Sequence, residues 1–154
     1  MDFFDEINNL EYLFLLDVKD LPGNKLLIVV KEAIISQQEE DLYIGDKNLG
    51  PVRGISKDGQ GKEYELFFES YGAYCIVNES FATFNNDDEQ RIGRLLCVFS
   101  KSKFMDYIRE TTIVDYTYDY NKTLKHYAVS CLGHVIDIVS KEEPIVKKRI
   151  VKLA

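Results

Sequence analysis

The sequence is poor in the residue types that mark several functional classes. It has no Trp, two His, three Cys and three Pro among 154 residues. The cysteines are widely spaced and odd in number, which indicates free thiols in a reducing compartment rather than a disulfide framework. No apolar run approaches the roughly 20 residues that a membrane-spanning helix needs. The N-terminal stretch is acidic where a signal peptide is basic, so we predict a cytoplasmic protein without membrane contact.

Positive charge is scarce in the first part of the chain. Residues 1–90 hold 7 Lys/Arg and 19 Asp/Glu, whereas residues 91–154 hold 12 and 7, and the net charge is −7. The acidic front argues against nucleic acid as a partner, because affinity for phosphate backbones comes from basic groups. It favours a basic protein partner. A solvated acidic face is the alternative interpretation.

Three local patterns predict the fold class. KEYELFFES alternates apolar and acidic residues, as a half-buried antiparallel strand does. Pro22 and Gly23 separate two apolar runs and fit the centre of a hairpin turn. Ser102 is a good N-cap for a helix over KFMDYIRE. With ten Tyr and nine Phe, these patterns predict one α+β domain over residues 1–154. We expect a mostly antiparallel twisted sheet or half-barrel with one or two short helices packed on it.

Other stretches give weaker patterns. Residues 36–61 are polar and glycine-rich, which predicts a long irregular loop, with a short strand over Val52–Ile55 as an alternative within it. Tyr74–Val77 is apolar on both faces, which predicts a central strand. RIGRLLCVFS is predicted to be one strand, and DYTYDYN is predicted to be an edge strand with its tyrosines on one face.

The stretch HYAVSCLGHVID concentrates the residue types of a nucleophilic site. We predict one strand that continues to about Val139, in which neighbours point to opposite faces. His126 and His134 then share a face, whereas Cys131 and Asp137 lie on the other. A Cys–His catalytic pair needs a hydrogen bond between its members. The stretch is therefore predicted to be a core strand, and no catalytic residue is assigned.

Metal and cofactor signatures are also missing. Structural zinc sites draw ligands in closely spaced pairs, and only Cys131-x-x-His134 resembles such a pair. Cys75 and Cys97 stand alone within apolar runs. The glycines match neither G-x-x-x-x-G-K-[ST] nor G-x-G-x-x-G. The sequence therefore predicts no metal and no cofactor.

Two candidate sites remain, one for each functional class. Tyrosine offers large contact area with a polar tip, and flanking acids steer a basic partner. The predicted partner-binding residues are Asp87, Asp88, Glu89, Asp115, Tyr116, Tyr118, Asp119 and Tyr120. The alternative is a small enzyme or ligand-binding module with a pocket near Glu79, His126 and His134, because strand ends present functional groups. A structural subunit of a homo-oligomer is a third possibility.

Three segments carry a family resemblance: ELFFESYGAYCIVNESF, FSKSKFMDYIRETT and LKHYAVSCLGHVIDIVSKEEP. Together they resemble small uncharacterised bacterial proteins met among candidate immunity partners of secreted toxins, over roughly residues 62–144. The resemblance brings no catalytic residues. It implies a cytoplasmic bacterial protein that acts by binding, and the leading hypothesis is an inhibitor of a basic toxin domain.

Overall fold

The computed structural model describes residues 2–83, 88–117 and 123–149. Its elements, in chain order, are α1 (Phe3–Asn8), β1 (Leu13–Leu21), β2 (Lys25–Glu32), β3 (Ile34–Ile44), β4 (Lys47–Ser56), β5 (Glu63–Phe68), β6 (Ala73–Asn78), β7 (Gln90–Ile92), β8 (Leu96–Lys101), α2 (Lys103–Thr111), α3 (Val114–Thr117), β9 (Lys125–Cys131), β10 (His134–Ser140) and β11 (Ile145–Arg149). A single 3₁₀ turn covers Glu79–Phe81. The predicted α+β class with antiparallel sheets is confirmed.

Two open sheets enclose the main core. One has the strand order β1-β2-β5-β11, and the other has the order β6-β10-β9-β8-β7. The alternation predicted for β5 is confirmed, because Tyr64, Leu66 and Phe68 are buried between the sheets. The backbone N–H of Leu132 donates to the carbonyl of Leu13 at 2.8 Å and joins the two sheets at one corner.

Helix α1 closes one end of this core. Ile7 is fully buried, and the side chain of Asn8 ties the helix to the start of β8. Its Oδ1 accepts from the backbone N–H groups of Arg94 at 2.7 Å and Leu95 at 2.8 Å, while its Nδ2 donates to the carbonyl of Leu96 at 2.9 Å. One amide thereby satisfies several backbone groups that would otherwise lack partners.

The predicted loop over residues 36–61 is wrong for most of its length, and only residues 57–61 and the turn at 45–46 lie outside strands. Strands β3 and β4 pair with each other in a separate two-stranded sheet, which we call the arm. Gly45 has a φ of +59° in the two-residue connection between Ile44 and Lys47. A positive φ at the first central position is what a type II′ hairpin turn requires.

The predicted single strand over HYAVSCLGHVID is also wrong. The chain turns at Leu132 and Gly133, so that β9 and β10 form a hairpin in which His134 pairs with Cys131. Gly133 has a φ of +81°, and a glycine adopts this conformation at little cost.

Three smaller predictions also need correction. β6 is an edge strand rather than a central one, since among the described strands it pairs only with β10. RIGRLLCVFS contains two strands, because Gly93 interrupts it with a φ of +88°. Asp115, Tyr116 and Thr117 lie in the short helix α3 rather than in an edge strand, and residues 118–121 lie outside the described residues.

Helix α2 begins where predicted. The Ser102 side chain accepts from the backbone N–H of Met105 at 3.1 Å. Helices α2 and α3 cover part of the outer face of the five-stranded sheet through a second apolar cluster, made of Ile108, Val114, Leu124 and Val139. No helix within the described ranges has both the length and the apolar character needed to span a membrane.

Candidate functional site

A row of polar and aromatic side chains crosses the outer face of the five-stranded sheet. Arg91 pairs with Phe99, and Phe99 pairs with His126, so the three residues share this face on adjacent strands. The rings of Phe99 and His126 are stacked, with centroids 4.3 Å apart and an interplanar angle of 10°. The Cζ atom of Arg91 lies 5.9 Å from the Phe99 centroid. The stack places a guanidinium and an imidazole on the same aromatic ring.

His126 joins helix α2 to strand β10. Its Nδ1 lies 2.8 Å from Oγ of Ser102, and its Nε2 lies 2.7 Å from Oδ1 of Asp137. The Ser102 oxygen already accepts from Met105, so its hydroxyl proton is free to bond Nδ1. A neutral imidazole that donates from Nε2 to Asp137 therefore satisfies all three side chains.

The trio has the composition of a hydrolase triad but not its accessibility. Ser102 and His126 are each 2% exposed. A serine nucleophile must reach a substrate carbonyl, whereas this hydroxyl caps a helix beneath the protein surface. The arrangement joins α2 to the sheet through two short hydrogen bonds.

A cavity of about 300 Å³ opens beside this network on the same face. Ser130 and Asp137 lie on its floor, and Phe81, Phe99 and Phe104 line its walls. Oδ2 of Asp137 lies 4.0 Å from the thiol of Cys75. Burial, followed by the charge of Asp137, raises the pKa of the Cys75 thiol, which disfavours the nucleophilic thiolate.

The other two cysteines are core residues. Cys97 is fully buried and its thiol lies 3.3 Å from the carbonyl of Arg94. Cys131 packs in the main core, on the opposite face of β9 from His126. Burial, with a smaller effect of Glu79, raises the pKa of Cys131 to about 12. All three thiols are free. Within the described ranges, no group of three or more His, Cys, Asp or Glu side chains is placed to hold a metal ion.

The three residues of the alternative pocket are not brought together. Glu79 and His134 lie at the turn between β9 and β10. There, Oε2 of Glu79 accepts from the backbone N–H of Gly133 at 2.7 Å. His126 pairs with Val139 at the other end of the hairpin. Five residues of strand β9 separate His126 from that turn, roughly 17 Å at the usual rise per residue.

The described acids of the predicted partner-binding set already have partners within the chain. Asp115 forms an ion pair with Arg109, and Asp88 lies 3.9 Å from Lys103. Glu89 accepts from the backbone N–H of Lys103 at 3.1 Å. Tyr116 is 83% exposed. The remaining members of the set, Asp87, Tyr118, Asp119 and Tyr120, lie outside the described residues.

The arm has one apolar face that no other element covers within the part of the chain that the structure describes. Glu40 pairs with Val52 and Ile44 pairs with Lys47. Leu42 and Leu49 lie between these pairs on the same face. The four apolar side chains on this face are 40–68% exposed. An isolated two-stranded hairpin is marginally stable in water, so a long arm with an exposed apolar face is suited to a partner surface.

The opposite face of the arm is polar and internally bonded. Arg53 lies 3.3 Å from Glu39, and Nδ2 of Asn48 donates to Asp41 at 3.2 Å and to the Tyr43 hydroxyl at 3.3 Å. These contacts link β3 to β4 on the face opposite the exposed apolar side chains. Sequence reasoning missed the arm, although the dipeptide Gly45-Asp46 after the apolar triplet Leu42-Tyr43-Ile44 is a hairpin signal.

Comparison with known proteins does not place the chain in a group. No family model, no curated protein and no solved structure matches it. The arm and the outer-face network are therefore interpreted from their own geometry.

Proposed function

We propose that this protein is a non-catalytic binding protein of the immunity type, which blocks a basic toxin domain by docking through the arm. The exposed apolar face of the arm is the observation that carries the proposal. This face is formed by strands of 11 and 10 residues. Within the described residues, these two strands pair only with each other.

Charge on the arm indicates the sign of the partner. Residues 34–56 contain four acids, Glu39, Glu40, Asp41 and Asp46, and two bases, Lys47 and Arg53, for a net charge of −2. Glu40 and Asp46 make no ion pair within the described part of the chain. Such acids beside an apolar strip speed the approach of a basic surface, while the strip supplies contact area.

The chemistry of the interior supports binding rather than turnover. The Ser102–His126–Asp137 trio is saturated by its own contacts, and burial raises the pKa of each thiol. The resemblance to immunity partners points to the same class of function. Its three segments lie outside the arm, so the arm supports the proposal independently.

In the experiment, the tagged protein is expressed in its native host and crosslinked to its partners. The captured proteins are then identified by mass spectrometry. Leu42→Ser/Ile44→Ser removes part of the apolar strip, and Ile76→Ser/Ile113→Ser removes comparably exposed side chains elsewhere. We expect the wild type and the control to capture the same basic protein, and the arm variant to lose it. Co-expression of the wild type should protect cells from the captured domain.

A charge series tests the steering. Glu40→Lys/Asp46→Lys and the control Glu11→Lys/Glu69→Lys change the net charge equally. The arm pair should slow association with the captured domain about tenfold at low salt, and the control should not. Equal capture by the arm variant and the wild type, or capture of a partner without protection, contradicts the proposal.

A further inference from the structure

A second, smaller cavity lies at the open end of the space between the two sheets. Its volume is about 190 Å³. Helix α1 contributes Phe4, strands β8 and β9 contribute Val98 and Tyr127, and strand β11 contributes Val146. The lining is largely apolar, and the cavity continues from the main core rather than from the outer face.

One buried polar atom in this cavity has no partner. The Tyr127 side chain is 1% exposed, and its hydroxyl makes no hydrogen bond within the described residues. Its ring is fixed by an edge contact with Phe68, with centroids 5.6 Å apart. A buried hydroxyl without a partner costs about 1–3 kcal/mol, so native proteins seldom retain one without a use.

The charges around the cavity limit the ligand. Burial, with a smaller effect of Glu143, raises the pKa of Tyr127 to about 12, so the phenol keeps its proton and acts as a donor. Asp2 and Glu143 are the charged residues in the lining. They disfavour an anion. A donor in the lining of a largely apolar cavity with acidic neighbours suits an uncharged acceptor such as a ketone.

We propose that this cavity binds a small uncharged apolar molecule whose one carbonyl or ether oxygen accepts a hydrogen bond from Tyr127. An apolar cavity of about 150 Å³ is enough to bind benzene, so a cavity of about 190 Å³ fits a ligand of about eight or nine heavy atoms. The inference is independent of the arm and of the proposed partner.

The experiment compares three probes on the full chain by ¹H–¹⁵N NMR titration. Acetophenone carries the acceptor, ethylbenzene has similar shape without it, and benzoate carries a negative charge. Tyr127→Phe removes only the hydroxyl oxygen, which leaves the ring and its contacts in place. We expect acetophenone to shift the amides of Val98 and Val146 and to bind the wild type about three- to tenfold more tightly than Tyr127→Phe. Ethylbenzene should bind both proteins equally, and benzoate should bind most weakly.

Thermal unfolding of the probe-free proteins gives the second readout. Tyr127→Phe should raise Tm by about 2–4 °C, because it removes a buried hydroxyl that lacks a partner. An unchanged or lower Tm means that the hydroxyl has a partner and overturns the proposal. The same holds if acetophenone does not bind, binds both proteins equally, or shifts amides away from this cavity.

Discussion

Nε of Arg149 lies 2.7 Å from Oε1 of Glu65, across the antiparallel pairing of β11 with β5. Glu63 lies 3.6 Å from both Lys31 and Arg149. The basic strand β11 therefore pairs with β5, an acidic strand from the first part of the chain. The uneven charge of the sequence is partly neutralised within the fold, so the overall charge does not by itself indicate a basic partner. The acids of the arm carry that argument instead.

Glu6 is the centre of a second network, with Tyr64, Lys148 and Lys62, and gives a prediction of pH dependence. The Tyr64 hydroxyl donates to Oε1 of Glu6 at 2.8 Å, and Lys148 lies 3.0 Å from the same oxygen. The Tyr64 hydrogen bond, followed by that of Lys148, lowers the pKa of Glu6 below its usual 4.5. The stabilisation is therefore present above pH 4.5 and is lost as the pH falls through the lowered value.

Glu6→Gln should reduce stability at pH 7 and flatten the slope of stability against pH below 4.5. Urea unfolding between pH 2.5 and pH 7 measures both effects. The control Glu11→Gln changes a nearby exposed acid for which the structure shows no ion pair within the described ranges. Parallel pH profiles for Glu6→Gln and the wild type would disprove this role.

The strands whose patterns are simple were predictable from the sequence. β5 alternates strictly, and the hairpin at Pro22-Gly23 has a strong turn signal, so tertiary contacts only reinforce local preference. The arm was missed because the glycine content of residues 36–61 suggested irregular backbone. Here the two-residue turn at Gly45-Asp46 determines the local structure despite the glycine-rich composition, since it sets the register of two long strands.

The contact between His126 and Asp137 was missed for a different reason. Along one continuous strand these residues point to opposite faces. The two-residue turn at Leu132-Gly133 pairs Cys131 with His134, so His126 and Asp137 come to share a face. A prediction that misses one two-residue turn therefore assigns every residue after that turn to the wrong face of the sheet. Ser102 comes from a separate segment, and no local signal predicts that it meets His126.

The Ser102 hydroxyl has two roles that a substitution should separate. Ser102→Ala removes both the helix cap and the partner of His126, and we expect a loss of about 1–3 kcal/mol in unfolding free energy. Ser102→Thr retains a hydroxyl and should therefore retain much of the unfolding free energy that Ser102→Ala loses. Ser100→Ala is the control, since that exposed hydroxyl makes only long contacts of 3.4 and 3.5 Å. Urea unfolding ranks the stability of the variants. Equal losses of unfolding free energy for Ser100→Ala and Ser102→Ala would argue against the stabilising contact between Ser102 and His126.

Gly93 should tolerate no side chain. Its φ is +88°, and an added Cβ would overlap the carbonyl of Leu96 and lie 2.9 Å from the Phe4 ring. Gly93→Ala should therefore cost at least about 2 kcal/mol, from strain and from displacement of these neighbours. Gly54→Ala is matched in chemistry, but its Cβ would meet no atom within 4 Å. Thermal unfolding should show a large fall in Tm for Gly93→Ala alone.

The thiols should react in a fixed order. Cys75 is partly exposed, whereas Cys97 and Cys131 are buried, and burial is the main cause of the raised pKa of all three. At pH 8, iodoacetamide should label Cys75 slowly and leave the other two unlabelled until the chain unfolds. Peptide mass spectrometry with and without denaturant measures this order. Rapid labelling of Cys131 in the native protein would contradict its core position.

The arm should be separable from the body. Its strands pair only with each other among the described residues, so its removal exposes little of the main core. Replacing residues 37–54 by Asn-Gly should leave Tm within about 2 °C of the wild type, because the buried residues between the two sheets keep their neighbours. Amide exchange in the intact protein should be faster in β3 and β4 than in β9 and β10. The shortened protein should also lose the captured partner. Collapse of the fold on shortening would show instead that the arm stabilises the body, and partner capture by a folded, shortened chain would place the docking surface elsewhere.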